Sequence, residues 1–413
     1  MGLELGQLHA EKVYPFRMRI AYVNHSRFPT QKAHGFQIAQ VCDALTELGH
    51  QVTMLTPSLR ISVQDTPEHF YGLRHPLHIE KISHFDAFES RVVPGVLGFA
   101  VSMYAYGRAL RERAQQFDLL YVRSPLLLPS LLKTGIPVIL ELHSLPRMGR
   151  RRFVRLCNRT AKIVCLTSPM QRELISWGVH PHRVMVEADG VDLRRFDKLP
   201  DSASAKSEWG IPADTTVIGY SGSLITRETL EKGVRELIDA RAILKKRERV
   251  GAEHVAPLLW IVGGPEKWVD NYTAHALSIG LTPRDISFQG HIPSGDVPFA
   301  IAACDVCVYP APKTDHPYFM RDTSPLKLFE YLASGRPVVC ADLPPVRDVV
   351  SGESVRFFLP GDAESLADAI SDVLDHPQEA LIRAEEGKRI ALEHSWEKRM
   401  ERILGSISVT VAP

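Results

Sequence analysis

Residues 321–337 read RDTSPLKLFEYLASGRP, and both ends of a helix are legible in them. Ser324 can cap the amino end through its hydroxyl, and Pro325, which has no amide hydrogen to lose, suits the first helical position. Gly335 takes the left-handed backbone that closes a helix, and Pro337 stops continuation before the apolar run PVVCAD. Another apolar run, VCVYPAP at 306–312, stands in front. A short helix held between two such runs is the repeating unit of a parallel sheet covered by helices.

Outward from this segment the same alternation fills the chain. RIAYVNH (19–25), QVTMLTP (51–57), LLYVRSP (119–125), PVILELH (137–143), KIVCLTS (162–168) and RVMVEAD (183–189) read as one series of strands. TVIGYSGS (216–223), LLWIVGG (258–264), ISFQG (286–290), VCVYPAP, PVVCAD and VRFFLP (355–360) read as a second. Residues 193–214, with Pro200, Asp201, Ser202, Ser204 and Pro212, form the polar stretch that joins domains. The expectation is an α/β protein of two doubly wound parallel-sheet domains, 1–195 and 215–385, followed by a helical segment, 386–413. In such sheets ligands bind outside the carboxyl ends of the strands. A charged helix carrying Trp396 is expected over 378–407.

Composition narrows the function. The 413 residues carry 49 Lys and Arg against 48 Asp and Glu, so a net charge of +1 gives no global attraction for nucleic acid. With 45% hydrophobic and 23% charged residues the chain is an ordinary globular one. Six cysteines lie mostly in apolar runs and read as buried thiols of a reducing compartment. Cys304 and Cys307 form one C-x-x-C, but strand alternation would point them to opposite faces, and no second pair completes a zinc site. The start, MGLELGQLHAEKVYPF, has neither the basic nor the apolar region of a secretory signal. The uncharged stretch 92–107 is too short to span a membrane and reads as a core helix sooner than as an apolar contact to lipid.

The helix after Ser324 presents its first amides, near Leu326 to Leu328, and the positive end of its dipole, which together make an anion site. Lys327 adds a full charge where it opposes that dipole, a conflict that a bound diphosphate would resolve. Glu330, one turn on among apolar neighbours, either pairs with Lys327 or accepts hydroxyl groups. Asp322 can reach over the same amides. No G-x-G-x-x-G follows the first strand, which removes the dinucleotide fingerprint. Lys and amides cover the diphosphate, and no carboxylate cluster of metal spacing stands beside them, so neither metal nor cofactor is implied. Gly35, before the helix IAQVCDALTELG, would let backbone approach a ligand closely. His143 ends the strand PVILELH. RMGRRRFVRLCNR then holds Arg147, Arg150, Arg151, Arg152, Arg155 and Arg159 without an acid, either a solvated face or a contact for an anionic partner such as a lipid-linked phosphate or the membrane surface.

The block D-x7-E followed by YLASGRPVV resembles the E-x7-E region of the retaining family-four glycosyltransferases. KAHGFQIAQVCDALTELGHQVTMLT, ELH (141–143), DGVDLRRF (189–196), GYSGSL with EKGVRELIDA (219–240), IVGGPE (261–266) and FQGHIPSGDVPFAIAACDVCVYPAP (288–312) are similar to that family in the same order. The resemblance implies the GT-B architecture, two facing Rossmann-like domains, with nucleotide sugar mainly on the second and acceptor mainly on the first. Glu330 matches the glutamate that holds the ribose, and Asp322 matches the carboxylate on the donor sugar, one methylene shorter. Lys232 matches the phosphate clamp, while Ser223 stands where arginine is frequent, so that Lys327 takes over the missing charge. Gly222, Gly264, Ser324 and Leu326 fall on the donor side. His143 matches the histidine beside the sugar, and His34 with Gly35 stands where the family shows a glycine pair.

The implied activity is transfer of a sugar from a UDP- or GDP-linked donor to a glycan, lipid-linked or small-molecule acceptor, as in polysaccharide biosynthesis. The implied partners are that nucleotide sugar and acceptor. The implied place is cytoplasmic, with peripheral contact to the inner face of the membrane through Arg147, Arg150, Arg151 and Arg152. A nucleotide-sugar 2-epimerase on the same fold and a non-catalytic nucleotide-sugar-binding subunit are the alternatives.

Overall fold

The computed structural model describes residues 17–59, 63–87, 95–227, 229–248 and 257–407; the reading of the amino-terminal segment 1–16 falls outside them. Each apolar run quoted above becomes a strand. The first sheet consists of β1 (Arg19–Val23), β2 (Gln51–Pro57), β3 (Ile79–Ile82), β4 (Leu119–Val122), β5 (Val138–Leu142), β6 (Lys162–Cys165) and β7 (Val184–Val186), in the order β3-β2-β1-β4-β5-β6-β7. After β8 (Val217–Ser221) comes an antiparallel pair of two-residue strands, β9 (Ile225–Thr226) and β10 (Leu230–Glu231). The second large sheet adds β11 (Leu258–Val262), β12 (Ile286–Gly290), β13 (Val306–Tyr309), β14 (Val338–Ala341) and β15 (Arg356–Phe358) to β8, in the order β12-β11-β8-β13-β14-β15. The chain divides into two compact units, one of residues up to 141 with 155–163 and 400 onward, the other of residues 142–154 and 164–399.

Parallel ladders explain why these runs are continuously apolar, since helices cover both faces of such a sheet. β1 pairs with β2 from Arg19↔Gln51 to Val23↔Leu55, and with β4 from Ile20↔Leu119 to Val23↔Val122. Winding runs from β1 out to β3 and then returns past β1 to β4. That reversal leaves a crevice beyond the carboxyl ends of β1 and β4. In the second sheet β8 pairs with β11 on one side and β13 on the other, which places the equivalent crevice at β8 and β13.

Four expectations change. Cys304 lies in the turn before β13, not in the strand, and its thiol donates to the Ala300 carbonyl at 3.3 Å. The charged helix expected over 378–407 is broken: Pro377–Glu393 is followed by Trp396–Gly405, with Ser395 bridged to Val191 between them. Trp396 and Arg399 are buried there, and Arg399 Nε donates to the Ala188 carbonyl at 2.7 Å. Gly190 permits this docking, because a Cβ on it would lie 2.8 Å from the His394 carbonyl oxygen. The helix Gly95–Ala114 is not a fully enclosed core element, since Leu97, Phe99, Val101 and Tyr104 are exposed on it. The fourth change concerns Ser324 and is taken up with the site.

Candidate active site

The helix Leu326–Ser334 starts at the carboxyl side of β13 and leads into β14, beside the crevice of the second sheet. Leu328, Phe329, Tyr331 and Leu332 are buried, and Tyr331 ties the helix to β8 by accepting the Ser221 amide at 2.8 Å. Lys327 and Glu330, one turn apart, are only partly buried. Gly335 closes the helix in the left-handed region, φ 67°, as its sequence position predicts. The amino end differs from expectation. Pro325, not Ser324, is the cap residue, and the Ser324 hydroxyl instead accepts the Asp189 amide at 2.7 Å. No side chain caps the helix; the Leu328 amide donates to the Pro325 carbonyl at 2.9 Å, which leaves those of Leu326 and Lys327 to face a ligand.

Three glycine loops bring backbone close to this end. Gly222, after β8, has φ 124°, and a Cβ there would stand 2.9 Å from Lys327 Nζ. Gly263, after β11, has φ 142°, and its Cβ would fall 1.9 Å from the Gly222 carbonyl oxygen. Gly264 follows in the same loop, and its carbonyl accepts the Leu224 amide at 2.9 Å. Gly233, beside Lys232, packs equally tightly on the Ala311 backbone. Ser223 carries no charge into the site; its hydroxyl donates to the Ile225 carbonyl at 2.5 Å.

Lys327 Nζ lies 3.6 Å from the centre of the Tyr220 ring. Burial holds its ammonium well below the ordinary lysine range, Lys232 adds to that and Glu330 opposes it. Two lysines thus converge at one helix end. Tyr318 stands in the turn before Asp322; burial alone would raise its phenol, but the charge of Lys232 and the polar groups of Thr323 and Thr226 bring it below the ordinary value.

The carboxylates are held by arginines. Glu330 Oε1 accepts from Arg195 at 3.1 Å, and Arg195 also bonds the Ser294 carbonyl. Asp322 is nearly enclosed. Arg321 grips it through Nε at 2.6 Å and NH2 at 3.2 Å, and Arg227 stands 3.8 Å away. Arg321 is in turn bonded to Glu173 at 2.7 Å. Sequence reading missed Arg195, Arg227 and Tyr318. Arg195 lies inside the quoted block DGVDLRRF, whereas Arg227 declares itself only in three dimensions, as the one described non-glycine residue with positive φ, 47°.

The remaining predicted residues stand as follows. His143 directly follows β5 and is half-buried. His34 lies in the first turn of the helix Ala33–Glu47, its Nε2 3.4 Å from the Ser26 hydroxyl. What closes on Gly35 is the protein itself: a Cβ there would meet the Tyr71 hydroxyl at 2.4 Å and the Thr30 methyl at 2.7 Å. Arg147, Arg150, Arg151 and Arg152 are all exposed at the helix Arg150–Cys157, with the Arg150 guanidinium 4.1 Å from the centre of the Trp177 ring. Among the described residues no group of three or more His, Cys, Asp and Glu could hold a metal ion, and no helix is long and apolar enough to cross a membrane.

Comparison with known proteins follows the same division. Residues 35–195 match the family described as Glycosyltransferase Family 4, and residues 215–376 match Glycosyl transferases group 1. The D-inositol 3-phosphate glycosyltransferase of Kineococcus radiotolerans is 26% identical over 277 residues, 62% of this chain and 58% of that protein. The chain thus spans little more than half the length of that relative. The GDP-mannose-dependent alpha-mannosyltransferase of Mycobacterium tuberculosis is 25% identical over 94% of this chain and 96% of its own. Among solved structures, Anabaena Alr3699/HepE in complex with UDP-glucose has a TM-score of 0.70 at 19% identity, covering 95% of this chain and 100% of that one, which fixes the fold. Two family matches covering most of the chain in order, on two Rossmann-like parallel sheets, make this protein a member of the family-four glycosyltransferases with the GT-B fold.

Proposed function

We propose that the chain moves a sugar from a nucleoside diphosphate sugar to a hydroxyl of an acceptor, with retention at the anomeric carbon. One observation carries this reading: Lys327, Lys232 and the uncapped start of the helix Leu326–Ser334 converge beside Gly222. Two neighbouring ammonium groups, that of Lys327 desolvated, and a helix dipole are costly together without an anion and well matched to a diphosphate.

In the reaction the bond from the anomeric carbon to the diphosphate oxygen breaks, and the electron pair leaves with the diphosphate. Lys327, Lys232 and the helix amides stabilise the charge that grows there, the contribution that weighs most in such transfers. The acceptor oxygen bonds to the same face of the sugar, and its proton passes to the departing phosphate oxygen. Glu330 offers Oε2 to the ribose hydroxyls while Arg195 holds Oε1. Asp322 and His143 are assigned to the sugar; Asp322 exchanges part of its Arg321 pairing for that contact. HepE was solved with UDP-glucose, and the mycobacterial relative is named for GDP-mannose, so UDP and GDP are the bases to test first. The exposed arginines 147 and 150–152 are assigned to an anionic membrane surface at the cytoplasmic face.

The test is a thermal-shift screen against UDP, GDP, ADP and their common sugars. One base series is expected to raise the midpoint, with the shift abolished in Glu330→Ala. Absence of a shift with every nucleotide would refute the reading.

A further inference from the structure

A chain of charges runs from Asp322 to a second helix. Asp322 ends the turn Tyr318–Asp322 with its side chain 3% exposed. Arg321 donates to Oδ1 through Nε at 2.6 Å and to Oδ2 through Nη2 at 3.2 Å, so one side of its guanidinium is committed to Asp322. The remaining arm, Nη1, donates to Glu173 Oε2 at 2.7 Å. Glu173 lies on the helix Ser168–Ser176, in the same compact unit as Arg321 and Asp322.

That helix is fastened to the segment it serves. Thr167 caps it by accepting the Met170 amide at 3.2 Å, and the same hydroxyl donates to the Arg321 carbonyl. The Ser168 amide donates to Asp348 Oδ2 at 2.6 Å, and the Ser168 hydroxyl donates to Oδ1. Glu173 therefore meets Arg321 from a support tied to the Arg321 backbone itself. The pair is partly buried, its side chains 17% and 34% exposed, so salt screens it less than an ion pair on the open surface.

The arrangement bears on how Asp322 is used. A carboxylate offers about four acceptor positions, and Arg321 takes one on each oxygen of Asp322. Arg227 Nη2, 3.8 Å from Oδ2, adds a second cation near that oxygen. Without Glu173 the Arg321 guanidinium would turn wholly to Asp322. With Glu173 holding one arm, the positive charge is shared between two carboxylates, and Asp322 can turn toward a sugar hydroxyl without leaving Arg321 uncompensated.

We propose that Glu173 is a positioning residue for the transfer, fixing the orientation of Asp322 toward the donor sugar through Arg321. This rests on the transferase reading and extends it to a residue 148 positions from Arg321 in sequence.

The test is a double-mutant cycle on the whole chain, with Glu173→Gln, Asp322→Asn and both changes together. It is read as kcat and KM for the nucleotide sugar that binds best and as the inhibition constant of its nucleoside diphosphate. Nucleotide-sugar affinities from calorimetry complete the cycle where Asp322→Asn turns over too slowly to time. Glu173→Gln, which keeps the shape and removes the charge, is expected to lower kcat/KM at least about tenfold, mainly in kcat. The inhibition constant of the nucleoside diphosphate, which has no sugar to orient, should stay within about twofold. In the Asp322→Asn background the same change should cost less than about twofold, because the carboxylate through which Glu173 acts is gone. An unchanged kcat in Glu173→Gln, or losses that multiply in the double variant, overturns the proposal. A parallel loss of nucleoside diphosphate affinity overturns it too, since Glu173 would then only hold the fold. If the parent protein binds no nucleotide, the transferase reading falls and this proposal with it, whereas binding and turnover without the coupling remove this proposal alone.

Discussion

Burial of the Lys327 ammonium beside Lys232 costs folding free energy, and the same placement is what a diphosphate needs. Its folded pKa lies below that of the unfolded chain, so the cost is full at low pH and fades as pH rises toward the ordinary lysine value. Lys327→Met is therefore expected to stabilise the nucleotide-free protein by about 1 kcal/mol at pH 7 and to lower the transfer rate about 100-fold or more. Chemical denaturation and steady-state rates check the two halves. The histidines give a second test. His25 and His34, at about 4 when folded against 6.5 when free, contribute stability that is present above pH 6.5 and lost as pH falls toward 4. Melting temperatures should fall over that window, and His25→Asn or His34→Asn should flatten the fall. Lys327 and Glu330 were legible because capping and spacing are local. The partners of Glu330 and Asp322 were not: Arg195 meets Glu330 across 135 positions, a separation that only the fold closes.

At the scale of elements, two glycines separate what a helix end needs from what a site needs. Gly335 has φ 67° and only the Lys388 side chain near, at 3.7 Å, so Gly335→Ala should cost about 1 kcal/mol, from backbone strain alone. Gly263 has φ 142° and would drive a Cβ to 1.9 Å from the Gly222 oxygen, so Gly263→Ala should cost more than about 3 kcal/mol and loosen the loop beside Lys327. Urea midpoints rank the two, and a reversed order would mean that the loops after β8 and β11 do not depend on each other. Gly335 was readable because a following proline marks the helix end. Ser324 misled because a serine before Pro reads as a cap, while its hydroxyl is taken by the Asp189 amide. β3 escaped notice for a simpler reason: IEKI puts two charges on a half-exposed edge strand, where neither an apolar run nor clean alternation survives.

For the molecule as a whole, the succession of apolar runs and caps was enough to read two parallel sheets, because buried parallel strands need no polar face. The candidate site's cations and Glu330 stand out in the sequence, whereas Arg195, Arg227 and Tyr318 join them only through the fold. Hydrogen exchange offers a global check on that division. Nucleotide binding should protect amides around 220–227 and 321–331. Protection by nucleotide confined to the first sheet would place the donor elsewhere. The most direct test is product analysis with UDP- and GDP-linked α-sugars and a panel of phosphorylated and unphosphorylated sugar acceptors. The account predicts acceptor-dependent release of nucleoside diphosphate and an α-glycosidic product, lost in Lys327→Met. Conversion of the nucleotide sugar to an epimer without acceptor, or binding with no turnover on any acceptor, would contradict it.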